Sequence, residues 1–169
     1  MKKIDIKEII LIIIIIILGI FISLNLFKNN KVTFITDSDY LYDKAIKYLL
    51  KHDDNVDKNK KNYKRFIDYE GFGIAQDKKY KYAYMWVVSD SYYEKNDKLV
   101  KSGGYSSPCK VVFNKRNDKV IKVIFTQDGE GYKVSIINMY PKEIEKKVLN
   151  YRMDDSNLKK IVDDYYKSK

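Results

Sequence analysis

The chain has 169 residues, a formal net charge of +10, one cysteine and one histidine. That inventory excludes an internal disulfide and a Cys/His metal cluster, leaving only carboxylate metal sites open. Sixteen tyrosines suit a small, half-exposed sheet, because each buries a ring and keeps a wet hydroxyl; AT-rich coding yields the same Ile, Lys, Asn and Tyr excess.

Residues 9–27, IILIIIIIILGIFISLNLF, carry no charge. Nineteen residues of helix span roughly 28 Å, close to the hydrocarbon thickness of a bilayer. The isoleucine run Ile12 to Ile17 leaves no polar face, which excludes an interfacial amphipathic helix. The exit, Phe21 to Leu26, has no small-residue cleavage pattern, and no cysteine follows for a lipobox. The expectation is therefore a retained transmembrane anchor, with a cleaved signal peptide or a buried helix as rivals. Lys2, Lys3 and Lys7 precede the span and Lys28 and Lys31 follow it, which favours an inside N-terminus. The expected organisation is a cytoplasmic tail (1–8), a single-pass anchor (9–27), a juxtamembrane connector (28–37) and an extracytoplasmic α+β domain (38–169) at the cell membrane.

In the connector, Val32, Phe34 and Ile35 have the makings of a short strand. Asp37 or Ser38 is placed to cap a helix running to about Lys51. Its stripe is Leu41, Ala45, Tyr48 and Leu49, widened by Tyr42, Ile46 and Leu50. Residues 52–62 are polar. Asp53, Asn55, Asp57 and Asn59 alternate as in a calcium loop, but the mid-loop glycine is missing and Lys64 stands where the glutamate belongs, so a solvated turn is the better account.

Residues 63–127 read as an antiparallel meander of four strands. The first, 63–76, puts Phe66, Phe72 and Ile74 in alternation, with Gly71 and Gly73 hinting at a bulge. The second, 80–93, carries Tyr82, Tyr84, Trp86 and Val88 on one face and Ala83, Met85 and Val87 on the other. Both faces are apolar, so it belongs in the middle of the sheet, covered on both sides. A loop through Asn96-Asp97 and Ser102-Gly103-Gly104 leads to Pro108 and a third strand, 109–114. The fourth, 120–127, returns with Ile121, Val123 and Phe125 on one face. A helical turn at 132–139 follows, then a helix from Pro141 to about Tyr151. A last helix, capped at 154–156, carries the stripe Leu158, Ile161, Val162 and Tyr165. The fold class is α+β: an N-terminal transmembrane helix, a helix, a four-stranded antiparallel meander and C-terminal helices. This order is compatible with a cystatin-like or NTF2-like roll.

The runs FIDYEGFGIAQDKKYKYAYMWVVSDSYY, SGGYSSPCKVVF, DGEGYKVSIINMYP and VLNYRMDDSNLKK resemble a group of uncharacterised small membrane-anchored proteins of clostridia. The resemblance covers nearly the whole chain and implies a bacterial membrane protein with one α+β domain. It carries no activity and no site. Cys109 departs from the group, where an aromatic residue is expected.

Catalytic patterns are weak. Gly71-Phe72-Gly73 is too short for a phosphate loop. Cys109 lies far in sequence from His52. Asp68 and Glu70 share a strand face, as solvated acids commonly do. No catalytic, metal-binding or cofactor-binding residues are assigned, and the expectation is a protein without enzymatic activity. The candidate binding face is aromatic: Tyr82, Tyr84 and Trp86, with Tyr92 and Tyr93 near the strand end. On a sheet such a row lines a groove for a peptide or glycan, or forms ordinary core under helices. The positive charge points to anionic lipid, wall polymer or another membrane protein as partner. Only Arg65, Arg116 and Arg152 represent arginine, which argues against specific nucleic-acid recognition. The functional expectation is a domain that binds or modulates a cell-surface partner, with a tethered ligand- or peptide-binding domain and a motif-less hydrolase as alternatives.

Overall fold

The computed structural model describes residues 13, 15, 16, 32–35, 39–52, 62–96 and 98–168. Residues 1–33 and 34–169 are separate compact units, and the core and site described below lie in the second. The capping positions 37 and 38 and the polar loop 53–61 fall outside the described residues, as does 9–27 apart from Ile13, Ile15 and Ile16.

The expected single-pass anchor requires correction. Among the described residues no helix is long and apolar enough to cross a membrane. The longest helix among the described residues has 13 residues, whereas a span needs about 20. The single-pass topology, the cell-membrane location and the extracytoplasmic placement fall with it.

The fold is α+β, but the sheet has five strands, not four. They are β1 (Thr33–Ile35), β2 (Lys64–Gln76), β3 (Tyr80–Lys95), β4 (Lys98–Asn114) and β5 (Val120–Phe125). Their order in the sheet is the order in the chain, and β2 to β5 pair antiparallel. The additional strand, β1, is three residues long and lies in the connector, where Phe34 and Ile35 have the makings of a strand, outside the four strands counted in the meander. The helices are α1 (Asp39–Lys51), α2 (Tyr132–Met139), α3 (Lys142–Asn150) and α4 (Ser156–Lys167).

β3 is central and covered on both faces, because both its parities are apolar. On one face Ala83, Met85 and Val87 meet Leu41, Tyr42, Ala45 and Leu49 of α1, together with Val111 and Phe113 of β4. On the other, Leu158 and Val162 of α4 pack on Phe66 and Val88, each burial contributing about 1.5–3 kcal/mol. Tyr151, just after α3, sets its ring 5.3 Å from Phe72 and 5.5 Å from Trp86. Tyr140, after α2, lies 5.3 Å from Tyr84 and donates its hydroxyl to the Cys109 carbonyl at 2.9 Å. Pro141 precedes α3 as its cap, and its carbonyl accepts from the N–H groups of Ile144 and Glu145.

Two irregularities depart from simple alternation. The β2–β3 register shifts between Gly71 and Gly73. Phe72 therefore packs with Tyr151, while Ile74 pairs beside Ala83 and enters the α1 core. Phe72 and Ile74 do not share a face, contrary to the expected alternation. β4 also begins at Lys98, eleven residues before Cys109. The Gly- and Ser-rich stretch expected to be a loop instead pairs with β3, Gly104 opposite Asp90 and Pro108 opposite Trp86. The Pro108 carbonyl accepts from Thr126 N–H. Its missing N–H therefore lies on the β5 side and costs the β3–β4 ladder nothing.

Candidate functional site

The aromatic row of β3 is real as a row, but the helices divide it. Trp86 is 8 % exposed, and its Nε1 donates to Ser106 Oγ at 2.8 Å. Tyr84 is buried under Tyr140. Tyr92 is half-buried with its ring 6.1 Å from Phe66, and it donates to Asp90 Oδ2 at 3.4 Å. Asp90 itself is held by Lys101 at 2.6 Å. Tyr93, next along β3, falls on the opposite parity. These four do not converge on a shared opening. Tyr82 does line one.

Tyr82 belongs to a cleft of about 380 Å³ that β3, β4 and β5 build between them. Strand register makes two rows across the same face. One runs Tyr84, Lys110, Ile124; the other runs Tyr82, Val112, Lys122. Tyr80 and Ile121 complete the walls. The register shift between Val112 and Phe113 is the kind of extra residue that turns a side chain toward a new face. The Tyr80 and Tyr82 rings lie 6.4 Å apart at 65°, and Tyr82 stacks toward Tyr84, also at 6.4 Å.

The electrostatics of this cleft are unbalanced. Lys110 is half-buried, with its ammonium 5.9 Å from the centre of the Tyr82 ring. Burial lowers its pKa, and the neighbouring charge of Lys122 lowers it further. Among the described residues no carboxylate stands in ion-pair contact with either lysine. The nearby acid, Asp77, is already engaged. It accepts from the Tyr82 hydroxyl at 2.6 Å and from the backbone N–H groups of Lys79 and Tyr80 at 2.7 Å each. Burial raises its pKa, but those hydrogen bonds outweigh it and hold the carboxyl below its usual range. Burial, then the Asp77 hydrogen bond, pushes the Tyr82 phenol up, so it stays protonated.

Among the described residues the cleft lining includes no histidine, cysteine, serine or carboxylate side chain. Among the described residues no group of three or more His, Cys, Asp or Glu side chains could hold a metal ion. Cys109 is fully buried and burial pushes its thiol up. His52 is exposed and stacks on Tyr48 at 4.0 Å. Asp68 caps the N–H of Tyr69, and Glu70 lies 3.8 Å from Lys147. Sequence reading missed Lys110, Lys122 and Tyr80. The available signal was Lys110, a charged residue at an inward parity between Cys109 and Val111.

No family model matches the chain, and comparison with curated proteins and with solved structures finds no significant match.

Proposed function

We propose that residues 34–169 form a non-enzymatic binding domain whose Tyr82–Lys110–Lys122 cleft takes an anionic ligand bearing a flat ring face. The observation that carries this reading is the half-buried Lys110 ammonium, set beside Lys122 with no carboxylate partner among the described residues. Two like charges in a partly desolvated cleft oppose each other. An anion placed between them relieves that repulsion, and the low-dielectric walls focus the field on it. Val112, Ile121, Ile124 and the Tyr80 and Tyr82 rings supply the apolar walls, a mixture typical of small-ligand sites.

The test is calorimetric titration of the protein with benzoate, phenyl phosphate and galacturonate, beside the Lys110→Met variant. Binding of at least one of the three, weakened about tenfold or more by Lys110→Met, is expected, since one lost charge-assisted contact costs roughly that much. Circular dichroism verifies that the variant is folded. Binding of none of the probes, or equal binding by the variant, overturns the reading.

A further inference from the structure

We infer that the ligand of this cleft is a repeating anionic sugar chain, held along a track that continues from the cleft onto the two neighbouring hairpin turns. The inference rests on the reading of the cleft given above and extends it from one ring to a polymer.

The track is visible in how the turns are tied together. The β2–β3 turn and the β4–β5 turn sit side by side at one end of the sheet. Lys115 N–H donates to the Lys79 carbonyl at 3.4 Å, and Lys115 Nζ donates to the Asp77 carbonyl at 2.9 Å. Lys81 bridges to Asp118 at 2.7 Å. These cross-ties make one platform of two turns. On it, Lys78, Lys79, Asn114, Lys115 and Arg116 line a second depression of about 290 Å³. The two depressions adjoin, because Tyr80 of the cleft pairs in register with Asn114 of the platform.

The charge along this path is one-sided. Lys78, Lys79 and Arg116 are exposed, and Lys110 and Lys122 wait in the cleft. The acids close by are spent inside the fold, Asp77 on Tyr82 and two backbone N–H groups, Asp118 on Lys81. A ligand that satisfies both depressions must carry several negative charges. Four residues of strand separate the Lys110 row from Asn114, about 13 Å at the rise of a strand, so it must also be longer than one ring.

The geometry of the rings separates a sugar chain from a nucleic acid. Single-stranded nucleic acids stack successive bases on parallel aromatic faces. Tyr80 and Tyr82 meet at 65°, and Tyr84, which lies at 29° to Tyr82, is buried, so the cleft offers no such ladder. Each ring instead presents one face with a lysine close by: Lys79 lies 5.0 Å from the Tyr80 centroid and Lys110 lies 5.9 Å from that of Tyr82. A pyranose edged with a carboxylate fits that pairing, its C–H face on the ring's negative face and its acid on the ammonium. An acidic peptide brings the charge without the ring face.

The experiment compares digalacturonate with an oligogalacturonate of about ten units, using the wild type, Lys78→Gln/Arg116→Gln and Lys110→Met. The longer chain is expected to bind at least about tenfold tighter, because contacts on the platform become intramolecular once the cleft is filled. Lys78→Gln/Arg116→Gln, both exposed changes on the platform and outside the cleft lining, should remove that gain and leave digalacturonate affinity unchanged. Equal affinity for the two lengths, or no effect of the double variant, overturns the track while leaving the cleft reading intact. If Lys110→Met leaves digalacturonate binding unchanged, the cleft reading itself falls. Failure of both sugars to bind overturns the sugar assignment, as does an oligothymidylate or a polyglutamate of matched charge binding as tightly as the longer chain.

Discussion

Gly71→Ala tests whether the bulge on β2 is held by α1. A Cβ at Gly71 would meet the Tyr42 ring at 2.7 and 2.8 Å and its hydroxyl at 2.9 Å. Gly71 is not among the positive-φ glycines, so the cost is steric and not conformational. The tip of an exposed tyrosine would swing aside. Tyr42 is 2 % exposed, its hydroxyl accepts from Gly73 N–H at 2.9 Å, and its ring lies 5.4 Å from Tyr69. Forcing an extra methyl into such a site costs about 1–3 kcal/mol. Displacing the hydroxyl from Gly73 N–H adds about 1 kcal/mol, for a total of about 2–4 kcal/mol. Urea unfolding followed by the fluorescence of Trp86 measures this, since Trp86 is the sole tryptophan and is buried. In a Tyr42→Ala background the same substitution should cost almost nothing, so the cycle reports a coupling close to the whole penalty. A loss below about 0.5 kcal/mol in the wild-type background, within the range of ordinary surface changes, would refute the packing argument.

Two further outcomes follow from the buried groups. Cys109 should react with a thiol reagent only at the rate of global opening, because the side chain is fully buried and burial disfavours its thiolate; fast stoichiometric labelling of the native protein would contradict this. Lys110→Met should be more stable than the wild type near pH 7, and the gap should narrow as pH rises. The folded-state pKa of Lys110 lies below its ordinary 10.5, so between those two values the unfolded chain binds more protons and wild-type stability gains with pH. Tyr84 and Tyr140, whose phenols burial pushes up, work in the opposite direction above about pH 10, but equally in both proteins. Thermal melts across pH 7 to 11 isolate the difference, and a gap that widens with pH would be inconsistent with an unpaired lysine.

Alternation along β3 was legible because it is long and apolar on both parities, and both faces are covered as that pattern requires. The first half of β4 was not. Lys98–Ser107 holds two glycines and three serines, residues that signal a turn locally, and only pairing with β3 makes them a strand. Gly104 shows why glycine is needed there: a Cβ would meet the backbone carbonyl of Ser89 at 2.6 Å and the carboxylate of Asp90. The glycine at 73 was readable as a bulge, but the consequence was not. One extra residue reverses parity, and that moved Ile74 to the α1 side.

The candidate site was half legible for a related reason. Parity correctly places Tyr82, Tyr84 and Trp86 on one face, but which part of that face stays open depends on the reach of the C-terminal helices. These have 8, 9 and 12 residues, and Pro141 breaks the path between the first two. Tyr140 and Tyr151 at their ends, and α4, cover Tyr84, Trp86, Phe72 and Phe66. That coverage favours the β2–β3 side and leaves Val112, Lys122 and Ile124 on the β4–β5 side in the cleft wall. An aromatic strand residue cannot by itself report whether a helix lies above it. A lysine at an inward parity can, because a helix laid over Lys110 would have to desolvate its charge or supply a carboxylate. Among the described residues the cleft supplies none. Lys110 therefore marks the boundary between core and site more sharply than the aromatic row does.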